Sequence, residues 1–151
     1  MDPIWHKLNL GELAQAVVIG APESFEPAIA SLGDVEVLCD LDALDEVEFS
    51  LAFVTKREEI DALAPVLASK APGDPLIWFA YPKGSSKRYT CEFNRDTGWQ
   101  PLGDAGFEPV RQVSIDEDWS ALRFRREEHI KRMTRAKEMA MSEKGKARTT
   151  K

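Results

Sequence analysis

Cysteine and histidine are scarce: 151 residues contain two of each, Cys39, Cys91, His6 and His129. Neither cysteine belongs to a Cys-x-x-Cys pair, so dithiol exchange and a cysteine-zinc site lack their usual spacing. Both are read as reduced thiols, and Cys39, closing an apolar run, is expected to be a small buried hydrophobe. The histidines lie at opposite ends of the chain without other ligand types nearby in sequence, which argues against a metal site. No apolar run approaches the roughly 18 to 20 residues that cross a bilayer. The start, Met1-Asp2-Pro3-Ile4-Trp5-His6, has no basic stretch leading into a hydrophobic one. A cytoplasmic protein with no membrane segment is expected. The chain also lacks a GxGxxG dinucleotide fingerprint, a Walker A motif and any internal repeat.

What is present suits one globular domain. Apolar residues make up 43% and charged residues 30%, a balance that supports a core and excludes a disordered or fibrous chain. The net charge of −6 is unevenly spread. Residues 127–151 carry eight Lys or Arg against four Glu, a net of +4, which leaves −10 on residues 1–126. So acidic a body disfavours nucleic acid as a partner, while the basic end could touch an anionic one.

Short apolar runs at 16–20, 35–39, 49–54 and 76–81 read as buried strands of a parallel sheet. Between them, Phe25, Ala28, Ile29 and Leu32 share a helical face, residues 42–47 form a shorter turn or helix, and Ile60, Leu63, Ala64, Leu67 and Ala71 line a stripe. Pro65 interrupts that stripe and predicts a kink or break, since it removes a backbone donor and crowds the Asp61 carbonyl. Thr55 and Glu58 have the spacing of a capping box. Later, 99–105 reads as a helix stopped by Gly106, and 110–115 and 120–125 as a hairpin around the acidic turn 116–119. A last helix starts near Glu127. Strands alternating with helices imply right-handed crossovers. The fold class is therefore α/β: a three-layer, Rossmann-like, mainly parallel sheet with a C-terminal antiparallel hairpin and a trailing basic helix. The organisation is a Rossmann-like domain over 1–126 followed by a basic helix and flexible tail over 127–151.

In such sheets ligands gather beyond the carboxyl ends of the strands. Gly20 opens the first of these loops, where helix-start amides could hold an anion. Asp40, twenty positions later at the end of the second strand, stands where nucleotide-binding folds place a carboxylate on ribose hydroxyls, and it equally suits a cap on the next turn. The loop after the fourth strand brings together Lys83, Ser85, Ser86 and Lys87 around Gly84, cations and hydroxyls suited to a phosphate or similar anion. Asn94-Arg95-Asp96 could join it or start the next helix. Trp78, Trp99 and Trp119 read as packing residues, with Trp5 unassigned, and Asp116, Glu117 and Asp118 as a solvated hairpin tip. No nucleophile, base and orienting group assemble, because Ser85 and Ser86 have no histidine in sequence reach. No cofactor is assigned from these residues.

Several strings carry a resemblance: Gly20-Ala21-Pro22-Glu23, Phe53-Val54-Thr55-Lys56, Trp78-Phe79-Ala80-Tyr81-Pro82-Lys83, Ala105-Gly106-Phe107-Glu108-Pro109-Val110 and Asp116-Glu117-Asp118-Trp119-Ser120-Ala121-Leu122-Arg123. Over about residues 7–126 the chain resembles a bacterial family of uncharacterised proteins, a domain of unknown function whose short Rossmann-like fold is similar to a reduced class I methyltransferase. The resemblance implies that fold and no established activity. Where methyltransferases carry a Gly-rich cofactor loop, this sequence has Gly20-Ala21-Pro22. Three readings follow: a non-catalytic module binding a small anionic ligand or a partner, an S-adenosylmethionine-dependent methyltransferase-like enzyme, and a nucleic-acid-associated adaptor acting through the basic C-terminal helix.

Overall fold

A computed structural model describes residues 2–91, 93 and 98–130. Its sheet follows from side chains alternating along each strand with a period of two. In β1 (Gln15–Ile19) Val17 faces one side while Ala16 and Val18 face the other. The same division runs through β3 (Phe49–Phe53), where all five residues are buried, and β4 (Leu76–Pro82). Burial on both faces explains why these strands read as continuous apolar runs rather than as alternating ones.

One face is covered by α3 (Arg57–Lys70) and α4 (Gln100–Asp104): Ile60, Ala64, Leu67 and Leu102 pack with Val17, Ala52, Phe79 and Phe124. The opposite face is covered by α1 (Ile4–Lys7), a 3-10 turn over Glu23–Phe25 and α2 (Glu26–Ala30), whose Trp5, Phe25 and Ala28 join Val18, Phe49, Leu51 and Trp78. Both tryptophans bury their rings without stranding a donor. Trp5 Nε1 donates to the Ala28 carbonyl at 2.8 Å, and Trp78 Nε1 donates to the Leu8 carbonyl at 2.9 Å.

With β2 (Glu36–Leu38), β5 (Phe107–Ser114) and β6 (Trp119–Arg126), the strand order is β2-β1-β3-β4-β6-β5. The first four strands are mutually parallel; β6 pairs antiparallel with β4 and with β5. The expected α/β architecture, mainly parallel with a closing hairpin, is therefore the observed one. The β5–β6 register slips between Pro109 and Arg111, a bulge where proline has no amide to give the ladder. At the end of β6 remote from Trp119, Arg125 donates to Asp74 through Nε at 2.8 Å and Nη2 at 2.5 Å. That hydrogen bond is the main reason the Asp74 carboxyl lies below the usual aspartate range.

Local details depart from the sequence expectations. Cys39 is exposed, because β2 is a three-residue edge strand that ends before it. The helix is not broken at Pro65: α3 continues through it, with Pro65 and Asp61 both exposed, so the carbonyl deprived of its donor lies on the solvent side. The carboxylate at the start of α3 belongs to Glu59, not Glu58, and accepts from the amides of Thr55 and Lys56 at 2.8 and 3.0 Å. Residues 42–47 contain only the end of a 3-10 turn, Leu41–Ala43. The hairpin strand begins at Phe107 directly after Gly106, whose φ of +91° marks the end of α4 as expected. Residues 127–130 are helical, while most of the proposed basic helix and tail, 131–151, and Asn94-Arg95-Asp96 lie outside the described residues. Among the described residues no helix is long and apolar enough to cross a membrane.

Candidate functional site

The strand order reverses direction at β1: the chain goes from β1 to β2 on one side, then to β3 on the other. The carboxyl ends of β1 and β3 flank that point, and there the chain turns sharply at Gly20. Its φ is +66°, and a Cβ built on it would meet the Phe53 carbonyl oxygen at 3.0 Å. Glycine is required twice over, for the left-handed backbone and for the close approach of two strand ends. The β1–β2 register, Val17 opposite Leu38, leaves Asp40 just past the end of β2 on the same rim. Asp40 is exposed, and one carboxylate oxygen accepts from the Asp42 amide at 2.9 Å, capping the 3-10 turn. Asp40 therefore occupies both positions that the sequence suggested, a turn cap and a carboxylate on the rim.

Further along the rim, at the end of β4, lies a cavity of about 520 Å³. Lys83 and Ser86 line it; Ser85, Lys87, Gly20 and Asp40 do not. The reason lies in the turn. The Ser86 amide donates to the Lys83 carbonyl at 3.0 Å, so Gly84 and Ser85 form the exposed corner, and Lys87 continues outward into solvent. Ser86 also ties the loop together: its hydroxyl donates to Asp118 Oδ1 at 2.9 Å and accepts from the amides of Arg88 and Tyr89. Lys83 is held twice, by its amide on the Asp118 carbonyl at 2.8 Å and by its ammonium on Ser114 Oγ at 2.6 Å. The cationic loop is thus stitched to the hairpin rather than splayed around a phosphate-sized nest.

The acidic hairpin tip performs the same stitching. Asp116 Oδ1 accepts from the amides of Asp118 and Trp119 at 2.8 and 2.9 Å, and Asp118 receives Ser86; only Glu117 is fully exposed. Both carboxylates are turn formers in partly buried positions, not the solvated cluster expected.

Sequence reasoning missed the cavity's other walls. Tyr81, Tyr89 and Phe93 supply rings, and Gln112 and Ser120 supply polar groups. Gln112 Nε2 donates to the Tyr81 hydroxyl at 3.2 Å, which fixes both side chains. Ser120 sits opposite Tyr81 on the neighbouring strand, is only 5% exposed, and its hydroxyl makes no hydrogen bond among the described residues. One signal for Ser120 was available: it shares a face of β6 with Leu122 and Phe124 on a strand whose first four residues are all buried, where an apolar residue is the rule. Trp78, Trp99 and Trp119 pack in the core as expected, each under 10% exposed.

No protein-family model and no curated protein matches the chain. Among solved structures, a Sulfolobus solfataricus protein assigned to the type 11 methyltransferases is similar over 82% of this chain and 77% of its own, at 8% identity and a TM-score of 0.50. The magnesium protoporphyrin IX methyltransferase of Synechocystis, solved with S-adenosylmethionine bound, is similar over 83% and 77%, at 16% identity and a TM-score of 0.49. Identities this low speak to architecture alone. The mixed six-stranded sheet, parallel except for its C-terminal strands and flanked by helices on both faces, is a Rossmann-like fold of the methyltransferase type.

Proposed function

We propose that the chain is an S-adenosylmethionine-dependent methyltransferase-like enzyme whose cofactor lies on the rim where β1 and β3 part. The observation that carries this reading is the reversal of strand order at β1, because open α/β sheets hold their ligands outside the carboxyl strand ends at such a point. The fold shared with the Sulfolobus protein, described as a type 11 methyltransferase, supports a methyltransferase-like reading. It favours this reading over the non-catalytic module, and the adaptor reading rests on a segment beyond the described residues.

The rim residues fit the ribose end of the cofactor. Asp40 is exposed, and one of its two oxygens is uncommitted after the other has accepted from Asp42. A carboxylate at the end of the second strand is suited to a pair of ribose hydroxyls. Gly20 keeps the crevice floor closed against Phe53. Pro22, without an N–H, leaves the first loop fewer donors than a Gly-rich one, so Asp40 carries more of the binding. When bound, the cofactor supplies an electrophilic methyl group; the chain's own part is to hold and orient it.

Calorimetry of the full chain with S-adenosylmethionine tests the reading. Saturable binding is expected, weakened at least about tenfold in Asp40→Ala, as befits loss of a charged hydrogen bond worth roughly 1.5–3 kcal/mol. Absence of heat at about 1 mM cofactor, where even weak specific binding registers, would overturn it.

A further inference from the structure

We propose that the cavity at the end of β4 binds a small aromatic carboxylate. This goes beyond the cofactor reading and does not depend on it. At about 520 Å³ the cavity has the size of a small-molecule site. Its chemistry is specific in three respects.

The first is charge. Among the described lining residues Lys83 is the only ionic one. Its ammonium has three donors and spends one on Ser114, which holds it in place and leaves the others for an anion. A half-buried ammonium held in place beside aromatic walls suits the carboxylate of a small organic anion.

The second is shape. Tyr81, Tyr89 and Phe93 present rings to the space, and the Tyr81 and Phe93 ring centroids lie 6.2 Å apart with their planes tilted by 44°. Walls of that kind favour a flat ring, which can meet them edge-on or offset, over a branched aliphatic body.

The third is an unmet hydrogen bond. Ser120 is 95% enclosed, opens on the cavity and has no partner among the described residues, although its strand neighbours of the same parity, Leu122 and Phe124, are apolar core. Its hydroxyl opens on the cavity, so a ligand oxygen there can accept from it, and the Gln112 amide, anchored on the Tyr81 hydroxyl, offers a further polar contact.

The test is a titration of the full chain with benzoate, benzamide and acetate, followed by amide chemical shifts. Benzamide keeps the ring and removes the charge; acetate keeps the charge and removes the ring. Saturable benzoate binding that shifts residues on β4 and β6 is expected, with both comparators at least about tenfold weaker. Lys83→Met should weaken benzoate about tenfold, Ser120→Ala about three- to tenfold, and Asp40→Ala should leave it unchanged. Benzamide or acetate binding as tightly as benzoate would overturn the proposal, as would an unaltered affinity in a folded Lys83→Met. The comparison of the three probes needs no variant, so it decides the matter even where Lys83→Met does not fold. Loss of S-adenosylmethionine binding in Asp40→Ala alongside intact benzoate binding separates this site from the cofactor rim.

Discussion

The two halves of the sheet hold together by different means. In the parallel half, β1 and β3 are five residues each and meet over three register pairs, β2 is three residues long, and the strands are buried by segments distant in sequence, Trp5 on one face and Ile60 on the other. In the antiparallel half, β5 and β6 run eight residues each, pair over seven positions through a short turn, and leave β5 largely exposed. Burial makes the first half and local pairing the second. The division also separates the candidate stations: the crossover geometry of the first half sets the rim with Gly20 and Asp40, whereas the antiparallel register of β6 on β4 sets Ser120 against Tyr81 and thereby helps build the cavity.

That contrast can be broken most strongly at Trp5. Its side chain is fully buried between Phe25 and Phe49, with centroids 5.5 and 6.1 Å away. Trp5→Ala is expected to cost about 3–5 kcal/mol in urea denaturation, the range for deleting a large buried ring. Equal stability of variant and parent would mean that the N-terminal turn does not secure the parallel half. A smaller loss is expected at Gly20. Gly20→Ala forces a side chain into left-handed backbone and against the Phe53 carbonyl, for about 2 kcal/mol. It should also disturb cofactor binding on the rim while leaving benzoate binding intact.

The smallest effect belongs to the hairpin. Asp74 has its pKa depressed, chiefly by the Arg125 hydrogen bond. A depressed carboxylate contributes stability that is present above its unfolded pKa, near 3.9, and is lost as pH falls through the folded value. Asp74→Asn should therefore flatten the acid limb of the stability curve below about pH 4 and cost about 0.5 kcal/mol at neutral pH, little because the pair is partly exposed. A thermal-melt series against pH reads this out; an acid limb of unchanged slope would remove Asp74 from the account.

The fold was legible where burial leaves a signature. Continuous apolar runs announced β1, β3 and β4, because both faces of those strands are covered, and Gly106 announced the end of α4. Details settled by tertiary context were not legible. The helix Ile4–Lys7 is too short to show a period, so Trp5 gave no sign of its place in the core. Cys39 looked buried only because its run extends past the end of the strand. At the candidate site, residues adjacent in sequence did not stay together: Lys83 and Ser86 face the cavity, while Ser85 and Lys87 turn away from it. The residues that complete it, Gln112 and Ser120, are some thirty to forty positions later and meet Tyr81 only through antiparallel pairing. Loop composition cannot reveal a partner that strand register supplies.

The slip at Pro109 has a consequence for how copies of this chain meet one another. Among the described residues β5 is a long outer strand with one side unpaired, the kind of border along which foreign strands add. A proline that cannot donate, an added twist, and Glu108 and Arg111 of opposite sign make that border a poor template for growth. The irregularity that looks like a flaw in the hairpin thus guards the sheet against being lengthened by its neighbours.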